Sequence, residues 1–122
     1  MQIEASIGEV VDKWTILSIK FLRITDKDKL ENVVKERNHL NNVIEPEILH
    51  DPLVDDLLDV NKTLWDVEDR LRNCERDKVF DEHFVQLARS VYILNDKRAQ
   101  IKKDINIKFG SEFVEEKSYR PY

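Results

Sequence analysis

The sequence predicts an all-α fold, a four-helix, bundle-like arrangement of two antiparallel helical hairpins, the second longer, followed by a C-terminal tail. Three observations carry this. Only two glycines and three prolines interrupt 122 residues, and so few breakers favour long helices over a turn-rich β fold. From Phe80, the positions Phe84, Leu87, Val91, Leu94, Arg98, Ile101 and Ile105 recur in alternating steps of four and three, the period of a heptad seam. Upstream, Leu53, Leu57, Val60, Leu64, Val67 and Leu71 keep the same alternation.

The elements follow in order. Ser6-Ile7-Gly8-Glu9 has the form of a capping box, in which Ser6 accepts from the third amide and Glu9 reaches back. The first helix then runs to about Arg23, with Ile7, Val10, Val11, Trp14, Leu17 and Phe21 on one face. Ile16, Ile19 and Leu22 widen that stripe beyond a surface helix's needs. The helix is therefore expected to pack on two sides, centrally or at a subunit interface. Thr25-Asp26-Lys27-Asp28 reads as a second capping box opening a helix that lasts to about Ile44. Pro46 is expected to end it. So short a link makes helices one and two antiparallel neighbours.

Asp51-Pro52 signals a third helix, with an acid at the N-cap and proline at the first helical position. Polar residues across 73–78 suggest the turn into the fourth, which Gly110 is placed to stop. Between residues 51 and 69 seven acids face one lysine; between 97 and 108 five bases face one aspartate. In an antiparallel hairpin these opposite charges lie side by side, and each set also suits its own helix dipole. Phe113, Tyr119 and Tyr122 predict that the segment 113–122 docks as a tail. One helical domain over 1–122 accounts for the chain, which can bury roughly two-thirds of its unfolded surface.

Composition excludes several classes of function. A net charge of −5 counts against nucleic-acid and anionic-membrane partners. No apolar run approaches the roughly 18 residues of a membrane span, and the first residues lack a basic leader region. Cys74, the one cysteine, forms no intrachain disulfide, so a cytoplasmic location is expected. Two isolated glycines make no phosphate loop. His39, His50 and His83 lack the helical spacing of metal ligands.

What remains is polar residues where apolar ones belong. Arg98 interrupts the fourth helix's seam, flanked by Asn95, Asp96 and Ala99, and Arg37 interrupts the second helix's. A guanidinium there needs carboxylate or carbonyl partners, or its desolvation costs several kcal/mol. Folding the hairpins sets Arg37 level with Asp12, and Arg98 level with Leu57, a turn from Asp55 and Asp59. The plain reading is ion pairs or snorkelling; the sharper one is an anion pocket with Arg98, Lys102 and Lys13 as donors. Acids form a second set: Glu9 with Asp12, Glu68 with Asp69, and Asp96. Facing carboxylates on helices hold magnesium in helical nucleotide pyrophosphohydrolases, but their fuller Glu-x-x-Glu plus Glu-x-x-Asp pattern is missing here. Among 25 acids, ion-paired or solvated carboxylates are the plainer account.

Ser6-Ile7-Gly8-Glu9-Val10-Val11-Asp12-Lys13, Leu64-Trp65, Glu68-Asp69, Asn95-Asp96, Arg98-Ala99 and Glu115-Glu116-Lys117-Ser118-Tyr119 together form a pattern. It resembles a family of short uncharacterised proteins of bacteria and bacteriophages. The likeness spans nearly the whole chain outside the second helix, and for a phage protein it implies the host cytoplasm. That family has no established activity, so the resemblance supplies no catalytic residue. It implies that Asp12, Lys13, Glu68, Asp69, Asn95, Asp96 and Arg98 belong to a common pattern. Trp14 stands where a smaller aliphatic residue is expected.

The reading is a non-catalytic helical binding or assembly module, a homodimer through its broad first helix. Asp12, Lys13, Glu68, Asp69, Asn95, Asp96, Arg98 and Lys102 are its candidate ligand-binding residues, for a small anionic ligand at the notch around Arg98. No cofactor or metal is expected. The alternative is a small helical enzyme acting with magnesium on a nucleotide or other anionic substrate, through Asp12, Glu68, Asp69 and Asp96.

Overall fold

A computed structural model describes residues 1–111; the tail 113–122 lies outside the described residues. Among the described residues five helices pack together: α1 (Ile7–Arg23), α2 (Lys27–Val43), α3 (Pro46–Leu49), α4 (Pro52–Asp77) and α5 (Glu82–Lys108). Ser6 caps α1 as its sequence predicts, its side chain accepting from the Glu9 amide at 3.1 Å. Asp51 does the same for α4, accepting from the Leu53 amide at 2.9 Å ahead of Pro52. For α2 the cap is Asp26, accepting from the Lys29 amide at 2.9 Å, rather than Thr25. A carboxylate there serves the amide and the positive end of the helix together.

Two boundaries differ from expectation. Pro46 does more than end α2, which stops at Val43; it takes the first position of the extra turn α3. Proline's fixed φ suits a helix start as well as it opposes a continuation. Likewise α4 runs through residues 73–77 and stops at Lys78, which adopts the left-handed conformation (φ 55°). Phe80, expected to begin the last seam, precedes α5 and stacks edge-on against Phe84 with ring centroids 5.1 Å apart.

The hydrophobic core takes more of its buried side chains from α4 than from any other helix. Val11, Ile44, Ile48, Val54, Leu57, Val60, Leu64, Ile101 and Ile105 form one buried cluster, and α1 packs against α2, α4 and α5. Its broad apolar girth is therefore covered largely within the chain, with Phe21 and Leu22 left exposed at its far end. The α1–α2 contact holds Arg37, but not against Asp12. Its guanidinium carbon lies 5.3 Å from the Trp14 ring centre and 5.6 Å from that of Phe21, and Nε donates to Ser18 Oγ at 3.0 Å. Two aromatic faces and a hydroxyl thus replace the expected carboxylate.

Helices α4 and α5 run antiparallel, because Lys108 at the end of α5 meets Asp51 at the start of α4 at 2.5 Å. The acidic and basic ends identified in the sequence do lie together. The hydrogen bond from Lys108, followed by that from the Leu53 amide, holds the Asp51 carboxyl below its ordinary value of 3.8. A carboxyl lowered on folding adds stability above its unfolded value and loses it as pH falls through the folded one. Urea midpoints should therefore drop as pH falls from about 5 to below about 3, and Asp51→Asn should show a visibly smaller drop. Identical acid limbs for the two proteins would mean the contact has no such role.

Candidate functional site

Three helices converge on Asp12, whose side chain is only 3% exposed. Its position on α1 follows from helical spacing: Gly8, Asp12 and Thr15 share one face, and all three are buried. From α5, Arg98 reaches it with two parallel bonds, Nε to Oδ1 at 2.9 Å and a terminal nitrogen to Oδ2 at 2.5 Å. From α4, Asn61 Nδ2 donates to Asp12 Oδ1 at 2.9 Å and to Thr15 Oγ1 at 2.8 Å. The Thr15 hydroxyl in turn donates to the Asp12 carbonyl at 2.7 Å. The fork of the guanidinium matches the carboxylate, a geometry lysine cannot reproduce.

One turn along α5, Lys102 donates to Glu9 Oε2 at 2.7 Å and stands 4.0 Å from Asp12 Oδ2. Charges therefore alternate along the α1–α5 contact: Glu9, Lys102, Asp12, Arg98. Two carboxylates offset two cations. Among the described residues no buried side-chain nitrogen or oxygen lacks a hydrogen-bond partner.

A further turn on, Asn106 Oδ1 accepts from the Gly8 amide at 2.6 Å, and Ser111 Oγ accepts from the Ile7 amide at 3.1 Å. With Ser6 taking the Glu9 amide, the first three amides of α1 are all satisfied by side chains, two of them from beyond Ile105. A helix N-terminus that would otherwise attract an anion is filled from within. Gly8 permits this approach, because a Cβ there would stand 2.4 Å from the Lys102 carbonyl oxygen.

Of the predicted site residues, the structure gathers Asp12, Arg98 and Lys102. The partner of Arg98 is Asp12 on the first helix, not Asp55 or Asp59 on the neighbouring one. Lys13 faces α2 instead and pairs with Glu36 at 2.7 Å on the surface. Glu68, Asp69, Asn95 and Asp96 are all exposed, and Asp69 pairs with Arg72 at 3.7 Å. The sequence reading placed none of Asn61, Asn106 and Ser111 at the notch. The signal for Asn61 and Asn106 was a polar residue directly after a seam position, Val60 and Ile105; Ser111 carried none.

Among the described residues no three His, Cys, Asp or Glu side chains are grouped to hold a metal ion. No described helix is long and apolar enough to cross a membrane. A groove of about 380 Å³ opens between α4 and α5, where Asp56, Asp59 and Lys97 surround Val60, Leu94 and Ile101. It contains none of the predicted residues.

The chain belongs to a family of unknown function, DUF6165, whose profile matches residues 1–121. No curated protein matches it, and no solved structure does.

Proposed function

We propose that this chain is a non-catalytic helical assembly module, in which the polar notch fixes how α1, α4 and α5 pack while outward-facing apolar side chains contact a second copy. The observation that carries this is the occupation of the notch. Arg98 and Lys102, the cations best placed to hold a small anion, are each engaged by a carboxylate of α1. A free anion would have to displace Asp12 from a forked pair at short range. The acids of the magnesium-dependent alternative are one buried carboxylate and three exposed ones, with no observation drawing them together.

The surface for assembly is the far end of the α4–α5 pair. Arg23, the last residue of α1, meets Asp66 at 2.5 Å, and α4 continues for about three turns past that level. Val79, Phe80, Val85, Tyr92 and Ile93, each between 42% and 52% exposed, lie in the stretch from the α4–α5 turn to the middle of α5. Six acids and five bases across residues 67–92 nearly cancel, so two such ends meet without the net repulsion of a −5 chain. This favours a homodimer with the two ends packed together.

Light scattering at micromolar concentration should give twice the 14.5 kDa chain mass. Phe80→Glu combined with Val85→Glu should return a folded monomer. A monomeric native protein overturns the reading, as does a saturable thermal shift with magnesium that Asp12→Asn abolishes.

A further inference from the structure

The groove between α4 and α5, about 380 Å³ in volume, joins two oppositely charged walls over an apolar floor. Asp56, Asp59 and Thr63 share one stripe of α4 with Val60, and Lys97 shares one stripe of α5 with Leu94 and Ile101. Val60 and Ile101 are buried, whereas Asp56, Asp59 and Lys97 are exposed, so the charges stand at the rim and aliphatic carbon lies beneath them. The volume falls within the range of small-molecule sites, which begin at roughly 300 Å³. We propose that this groove binds a small molecule with an ammonium group at one end of a short aliphatic chain and a carboxylate at the other. The ammonium lies against Asp56 and Asp59, and the carboxylate against Lys97.

The separation of the charges supports this. Among the described residues none of Asp56, Asp59 and Lys97 takes part in an ion pair. Arg98, the next residue after Lys97, points about 100° further round α5 and is engaged by Asp12 on α1. Thr63 Oγ1 donates to the Asp59 carbonyl at 3.0 Å, which leaves its lone pairs for a donor such as an ammonium. A ligand with only a cation would suit α4 and meet Lys97; one with only an anion would meet two carboxylates. A dipolar ligand suits both walls, and the wider charge has the same sense: seven acids and one lysine across 51–69, five bases and one aspartate across 97–108. Because packed helix axes lie about 8–10 Å apart, the two charges of the ligand are best set several methylenes apart, and that chain covers Val60, Leu94 and Ile101. The proposal goes beyond the assembly reading and uses none of the residues placed in the dimer contact, so either can fail alone.

The test is a titration of the full chain with ε-aminocaproate, followed by nuclear magnetic resonance. Saturable shifts are expected at the methyls of Val60, Leu94 and Ile101 and at the amides of Asp59 and Lys97, at millimolar ligand and low salt. Hexylamine and hexanoate, which each lack one charge, should bind about two- to fivefold more weakly, the worth of an exposed ion pair. Leucine, whose two charges share one carbon, should also bind more weakly. Lys97→Met should erase the advantage over hexylamine, and Asp56→Asn combined with Asp59→Asn the advantage over hexanoate. These side chains are exposed, and unmoved α1 amides would show that each variant is folded. The proposal is overturned if ε-aminocaproate gives no saturable shift at the groove. It is equally overturned if any comparator binds as tightly, or if Lys97→Met leaves the affinities in their native order.

Discussion

Replacing Arg98 with Met is expected to destabilise the protein by about 3 kcal/mol, or roughly 10 °C in melting temperature. The substitution keeps helix propensity nearly constant and puts an apolar side chain on an apolar seam, so pattern alone predicts a gain. The structure predicts a loss because of what stays behind. Asp12 keeps its charge in a buried position, with Asn61 as a neutral donor and Lys102 at 4.0 Å. Removing one member of a buried pair costs about 3–5 kcal/mol. The lower end applies here because Arg98 is 28% exposed and Lys102 takes up part of the charge. Urea unfolding of the two proteins measures the difference. A variant as stable as the native chain would mean that Asp12 is hydrated and the notch open.

Gly8→Ala is the second change of large expected effect, and again its sign opposes simple propensity. Alanine in a helix is favoured over glycine by about 0.5–1 kcal/mol. Here the new methyl would stand 2.4 Å from the Lys102 carbonyl oxygen and 3.0 Å from Asn106 Oδ1. The first of these is backbone and cannot swing aside, so α1 and α5 must move apart and the Gly8–Asn106 bond lengthen. Overpacking of this kind costs about 1–3 kcal/mol, and backbone that cannot yield puts it toward the upper end, leaving a net loss of up to about 2.5 kcal/mol after the propensity gain. Chemical denaturation gives the sign directly. A Gly8→Ala variant more stable than the native chain would refute the close approach of the two helices.

How much of this was legible beforehand depends on whether a rule is local. The Ser6 and Asp51 caps each rest on residues within three positions, and both were readable. The left-handed stop at Gly110 is equally local. Arg98 was recognisable as an intruder because a heptad exposes any charge placed on it. Its partner was not, since the seam specifies a face of α5 and not which helix covers that face. Level-matching within the second hairpin pointed to Asp55 and Asp59, whereas α1 packs against both arms and supplies Asp12. Arg37 failed for a related reason: two aromatic rings satisfy a guanidinium, and matching charges by level points only to carboxylates. The α3 turn is too short to show any period. Gly8 was read as part of a capping box, and its role in close packing requires knowing that α5 passes above it. Glu68, Asp69, Asn95 and Asp96 are polar pairs that the fold leaves on the surface, where spacing alone could not separate them from Asp12.

The central claim is that Asp12 and Arg98 act as one unit joining α1 to α5. A double-mutant cycle on Asp12→Ala and Arg98→Met, read by urea unfolding, tests it most directly. If the pair acts as described, the second substitution costs little once the first is made, and the coupling energy is about 2–3 kcal/mol. Losses that add to within about 0.5 kcal/mol would contradict it.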